Sequence, residues 1–139
     1  MRYLAIAIIG LLTIACARPA LRSDVLIYVD EFYSKTNGRR DIEIQMVSAF
    51  SNAIDKKTVG LCYPGPNPMI EILEPYFDRS LPITRRALIL HELGHCSLGR
   101  IHRISYFPDH CPTSIMHPSI PSINCLVVHR DDYDKDLFQ

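Results

Sequence analysis

The chain has 139 residues, with 15 lysines and arginines set against 15 aspartates and glutamates, a formal net charge of +0. Charges this balanced and scattered give no electrostatic footprint for nucleic acid and no acidic tail for a basic partner. No internal repeat or low-complexity tract divides the chain, and its length suits one domain with a modest core.

The first stretch reads as a targeting segment. Arg2 precedes an apolar run from Tyr3 to Ala15, broken only by Gly10 and Thr13, which is too short to span a bilayer and has the length of a secretory h-region. Residues 1–15 are therefore expected to be a removed signal. The end of the run, Leu12-Thr13-Ile14-Ala15-Cys16, resembles a bacterial lipobox, which implies a lipidated Cys16 as the first mature residue; ordinary cleavage after Ala15 or Ala17 is the alternative. The mature domain, 16–139, is expected to be a monomer outside the cytoplasm, either secreted or held to the cell envelope through its amino terminus alone.

The remaining cysteines agree with export. Cys62, Cys96, Cys111 and Cys125 form an even set that suits two disulfides in an oxidising compartment. Three connectivities are open, and a Cys96 to Cys111 bond is attractive because it would tie a central helix to the loop that follows it. No pair has the short C-x-x-C spacing of a structural zinc site.

Asp24 to Thr36 places Val25, Leu26, Tyr28, Val29, Phe32 and Tyr33 at helical spacing, with Ser23 or Asp24 as the cap. Asp41 to Phe50 alternates Ile42, Ile44 and Met46 with polar residues and predicts a strand, as do Thr58 to Tyr63 and Met69 to Leu73. Between the last two, Pro64-Gly65-Pro66-Asn67-Pro68 predicts a turn or the rim of a cleft. Lys56-Lys57 and Arg85-Arg86 read as solvated faces. Pro82 to Gly99 predicts a helix, with Pro82 and Thr84 in its first turn, an apolar run Ala87-Leu88-Ile89-Leu90 and a terminal glycine. From His102 to Cys125 four prolines and little periodicity predict an irregular segment, and Arg130 to Gln139 a short helix packing back on the domain.

The predicted long helix carries the chemistry: His91-Glu92-Leu93-Gly94-His95, then Gly99 and His102. Two histidines four apart project from one helix face, so both imidazoles reach one zinc at about 2.0–2.1 Å. Glu92 then stands beside the metal, where a carboxylate can take a proton from a zinc-bound water. Continued as a helix, His102 would lie about 10.5 Å beyond His95 at roughly 1.5 Å per residue. Gly99 accepts the left-handed conformation that ends a helix, and so lets the chain return toward the metal. Three nitrogen ligands leave a fourth position open, as in catalytic rather than structural zinc sites.

These residues, with Ser114-Ile115-Met116-His117-Pro118 downstream, resemble the metzincin zinc metallopeptidases, whose pattern is H-E-x-x-H-x-x-G-x-x-H followed by a methionine turn. The spacer from His95 to Gly99 is one residue longer than that pattern, a feature shared with a group of small bacterial metallopeptidases that the chain also resembles. The resemblance implies His91, His95 and His102 as ligands of one Zn2+ per chain, Glu92 as general base and Met116 as the apolar floor beneath the metal. No tyrosine follows His117, so a transition-state donor must come from elsewhere; Tyr106 and Tyr133 are candidates, although each reads more simply as a packing residue. His110, His117 and Asp109 are rival third ligands, and His129 reads as a surface residue.

The expected architecture is an α+β, zincin-like fold, with a small mixed sheet packed on the zinc-binding helix and an irregular carboxyl-terminal part bearing the methionine turn. By analogy with zincins, Met69 to Leu73 is the candidate edge strand for an extended peptide. The expected function is metal-dependent hydrolysis of a peptide or protein substrate. A zinc-containing envelope binding protein without activity, and an amidase acting on cell-wall peptides, are the alternatives.

Overall fold

The computed structural model describes residues 20–50, 55 and 57–139, so the signal segment and Cys16 lie outside the described residues. Helix α1, Ser23–Lys35, buries Val25, Tyr28 and Phe32 on one face. The spacing of three then four is that of an amphipathic stripe. Its first turn departs from expectation, because Arg22 is the N-cap and no side chain caps the helix. Asp24 pairs instead with the Arg22 guanidinium at 2.8 Å, and that guanidinium also reaches Glu74 and Asp78 at 2.9 and 2.7 Å. The amino-terminal helix is thereby fastened to the segment after the sheet.

Three strands follow: β1, Glu43–Val47; β2, Gly60–Tyr63; and β3, Met69–Leu73. The first two are shorter than their alternating patterns predict. The sheet order is β1-β3-β2, with β1 parallel and β2 antiparallel to β3. Met69–Leu73 is therefore the central strand and not the edge. The hairpin explains the difference: Pro64 to Pro68 returns the chain beside β2, while β1 pairs with the other side of β3, leaving β2 as an outer strand. Ile70 and Ile72 of β3 are fully buried, as a strand flanked on both sides requires.

Glu74–Arg79 forms a short helix, α2, directly after β3, with proline in its first turn. Sequence periodicity missed it because six residues hold less than two turns. Helix α3, Pro82–Leu98, is the longest element, and every residue from Arg86 to Gly94 is buried. It packs against α1, β2, β3 and the next helix, α4, Ile123–Val128. Helix α4 begins at the end of the segment expected to be irregular and runs past it, capped by the Ser122 side chain, which accepts from the Cys125 amide. The tail forms α5, Arg130–Phe138, which buries Tyr133 and Leu137. These elements make a small α+β fold with a three-stranded mixed sheet. No helix among the described residues is long and apolar enough to cross a membrane.

Arg85 and Arg86 are not a solvated pair. Arg86 is 9% exposed and donates to Glu31 of α1 at 2.9 and 2.6 Å and to Asp134 of α5 at 2.7 and 2.8 Å. Lys35 bridges the same two carboxylates at 2.9 Å each. Arg85 donates to the carbonyls of Phe77, Ser80 and Asp78 around the end of α2.

The disulfides are Cys62–Cys96, joining β2 to α3, and Cys111–Cys125, joining the loop after α3 to α4. A Cys96 to Cys111 bond is thus excluded: Cys96 faces the sheet, where Cys62 is its neighbour. Closing loops of 34 and 14 residues removes about 4 and about 3 kcal/mol of chain entropy from the unfolded state. Both bonds suit an oxidising, extracytoplasmic setting.

Candidate metal centre

Residues 91 to 95 lie wholly within α3, so His91 and His95 project from the same face one turn apart. The helix ends at Gly99, which takes φ 64° and ψ 24°. In that left-handed turn the Gly99 amide donates to the His95 carbonyl at 3.1 Å and the Arg100 amide to the Gly94 carbonyl at 2.9 Å, satisfying acceptors that a helix end leaves open. The reversal returns His102 to the helix. One nitrogen from each of His91, His95 and His102 lies within 4.8 Å of the others, and the ring centroids are 4.7 to 5.3 Å apart. The extra spacer residue is absorbed in the helix end.

Two backbone carbonyls set the tautomers. His91 Nδ1–H donates to Ile115 at 2.8 Å, and His95 Nδ1–H donates to Arg100 at 2.6 Å. Each ring therefore turns an Nε2 lone pair inward, and the two Nε2 atoms lie 3.1 Å apart. Two acceptors this close repel unless a cation lies between them. On His91 a proton is disfavoured, because burial, opposed by the Ile115 carbonyl and helped by the neighbouring imidazoles, pulls it down to about 4. Burial likewise lowers His102, with His95 and His117 adding to the effect. Ligands of a tetrahedral ion at about 2.1 Å stand roughly 3.3 Å from one another, close to the observed separation. The donor set fits a metal ion.

The segment around Met116 holds this geometry from below. Ser114 is fully buried; its Oγ donates to Asp136 of α5 at 2.5 Å and accepts from the Met116 amide at 3.0 Å. The Arg103 amide donates to the Met116 carbonyl at 2.9 Å, tying the strap that carries His102 to the same turn. Met116 is 1% exposed and lies against α3 at Gly94, where a Cβ would stand 2.5 Å from Met116 Sδ. The turn that carries Met116 also supplies the carbonyl that orients His91.

Glu92 is 5% exposed and borders the same cleft as the three histidines. Burial pushes its carboxyl up to about 8, opposed by a hydrogen bond donated by the Cys62 amide. The cleft measures about 830 Å³; β2 lines one side, Tyr76 of α2 and Leu88 of α3 line it further, and Pro118 to Ile120 line it after Met116. Of the proline-rich hairpin, Pro64 alone reaches it.

No protein family, curated protein or solved structure matched the chain when it was compared with each. The site is therefore interpreted from its own chemistry.

The rival ligands lie elsewhere. His110 is exposed on a left-handed backbone with φ 65°. His117 Nε2 and the Tyr106 hydroxyl are hydrogen-bonded to each other at 2.9 Å. Asp109 pairs with His129 at 2.7 Å, and that ring also meets Asp132 at 3.1 Å and stacks on Phe107. Asp109, Cys111 and His129 do cluster, but the Cys111 sulfur is committed to its disulfide. Tyr133 is a core residue on α5, 1% exposed.

Two glycines with structural roles at the site escaped the sequence reading. Gly94 admits Met116, and Gly60 admits Glu92, whose Oε1 would lie 2.4 Å from a Cβ at that position. A glycine inside a strand, where close approach by another group is a standard reason for it, was the available signal for Gly60.

Proposed function

We propose that the chain is a zinc-dependent peptidase of zincin-like architecture, exported across the cytoplasmic membrane and acting as a monomer on extended peptides. The observation that carries this reading is the pair of inward Nε2 lone pairs 3.1 Å apart, completed by His102 and bordered in one cleft by a buried carboxylate. A closed structural site has no use for that carboxylate. His91, His95 and His102 would hold the ion, with zinc favoured by an all-imidazole set and an open fourth position. When bound, zinc supplies Lewis acidity for a carbonyl and lowers the pKa of a coordinated water toward about 7.

The remaining steps belong to the chain. Glu92, poised by burial in an apolar wall, accepts the proton of the attacking water and returns it to the leaving amine. The outer strand β2 offers the open edge. Val59 accepts from the Leu73 amide at 2.9 Å, so by alternation Leu61 and Tyr63 also face β3, while Gly60 presents its backbone groups outward and Cys62 its carbonyl, the Cys62 amide being turned to Glu92. An extended peptide added there would lie along the cleft with its scissile bond beside the histidines. This corrects the substrate edge from β3 to β2. Lipid attachment through Cys16 is the proposed anchor.

Elemental mass spectrometry of the mature domain is expected to find one zinc per chain, with clear loss in His102→Ala. Glu92→Gln should keep the metal while peptide hydrolysis falls by about 10²–10⁴-fold. A metal-free wild type after zinc is supplied would overturn the proposal. Zinc without turnover on a peptide library would favour the binding-module reading, and turnover confined to cell-wall peptides would favour the amidase.

A further inference from the structure

Strand β2 and helix α3 meet at two matched points. Gly60 lies against Glu92, and Cys62 is bonded to Cys96. Two residues along a strand cover about 6.6 Å and four along a helix about 6 Å, so the two contacts are in register. The second therefore fixes the spacing of the first. At the first contact Gly60 has no side chain to compete for space: a Cβ would stand 2.4 Å from Glu92 Oε1 and 2.8 Å from both Cδ and Cγ. The amide of Cys62 points away from β3 by the alternation set at Val59, and it favours the ionised Glu92 carboxylate against the effect of burial. One residue thus carries both the donor that orients the carboxylate and the sulfur that pins the strand.

We propose that β2 is the positioning element of the general base, with Gly60 and the Cys62 amide seating the Glu92 carboxylate and the Cys62–Cys96 disulfide holding that seat against the metal helix. Its effect on turnover rests on the peptidase reading; the seating itself does not. Gly60 and Cys62 are positioning residues, since they act through Glu92. The three histidines are oriented independently by Ile115, Arg100 and the Gly99 turn, so loosening β2 misplaces the base without dismantling the metal site. The second disulfide is a built-in control, because Cys111 and Cys125 lie outside the cleft lining.

Two measurements test this on the mature, zinc-loaded protein. In ¹⁵N-resolved NMR spectra, Glu92→Ala, which leaves no acceptor, is expected to shift the Cys62 amide and speed its hydrogen exchange; an unmoved Cys62 amide overturns the seating, whatever the protein hydrolyses. In kinetics, Gly60→Ala and the Cys62→Ala/Cys96→Ala double variant are expected to keep one zinc per chain and to lose about ten- to a hundredfold in kcat, with KM changed much less. Cys111→Ala/Cys125→Ala is expected to lose stability and keep kcat. Unchanged kcat in Gly60→Ala, or an equal loss in both disulfide variants, would reduce the bond to a general staple. Should the Cys62→Ala/Cys96→Ala protein not fold, Gly60→Ala decides the question. A wild type that binds zinc but cleaves nothing defeats the peptidase reading alone and leaves the amide measurement to decide the seating.

Discussion

At the scale of single residues the site depends on glycines as much as on its histidines. Gly94 stands inside the H-E-x-x-H turn, where any Cβ meets Met116 Sδ at 2.5 Å and Leu137 Cδ1 at 3.2 Å. Alanine is the better helix former, and on propensity alone Gly94→Ala would stabilise by about 1 kcal/mol. Overpacking a filled core costs about 1–3 kcal/mol, so the clash wins. Chemical denaturation should show a net loss, and Gly94→Ala combined with Met116→Ala should recover part of it; additive losses would show that the two residues do not share the space. The histidines and Glu92 were legible because their relation is local, four residues on a helix. His102 was legible only through Gly99. Gly60 and Gly94 owe their roles to partners 32 and 22 residues away, Glu92 and Met116, which no local pattern announces.

At the scale of elements, three helices are joined by one cluster of charges. Arg86 of α3 reaches Glu31 of α1 and Asp134 of α5, and Lys35 closes the ring. Hydrogen bonding to Arg86, opposed by burial and helped by Lys35, lowers Glu31 from 4.5 to about 2. A carboxyl lowered on folding adds stability that is complete above its unfolded value and disappears as pH falls from about 4.5 through about 2. With the Glu31 side chain 25% exposed, solvent screening reduces the contribution to about 2–3 kcal/mol. Glu31→Gln should therefore cost about that much at pH 7 and little at pH 2 in urea titrations. An equal cost at both values would assign the loss to packing. From sequence, Arg85-Arg86 read as a solvated face because the carboxylates that bury Arg86 are 55 and 48 residues distant. The strand order was hidden for a related reason. Alternation identifies a strand and its turn identifies a hairpin, but nothing local says that β1 pairs with the far side of β3.

At the scale of the whole molecule, the sheet, the metal helix and the turn beneath it all converge on α3. Most of the elements were visible in periodicity; their assembly was not, and the cysteines show why. Of three open connectivities a Cys96 to Cys111 bond was attractive for tying the helix to the loop after it, whereas the sheet packed on α3 brings Cys62 to Cys96 from 34 residues away. The α+β class and the metal cluster needed only local pattern and one turn. The disulfides, the outer strand and the seat of Glu92 needed the tertiary fold.

The three histidines also differ in how firmly the molecule grips them. His91 is 5% exposed, within the buried stretch of α3, while His102 is exposed on a strap where Ile101 and Ile104 are 80% and 76% exposed. Amides in the centre of α3 should exchange with solvent only through global unfolding, and those from Ile101 to Ser105 through much smaller openings. The ion should then leave in order, released first by His102 and held for a time by His91 and His95. Metal loss to a chelator would proceed at the opening rate of the strap and far faster than the protein unfolds. If instead the two rates coincide, the strap is as firmly held as the helix.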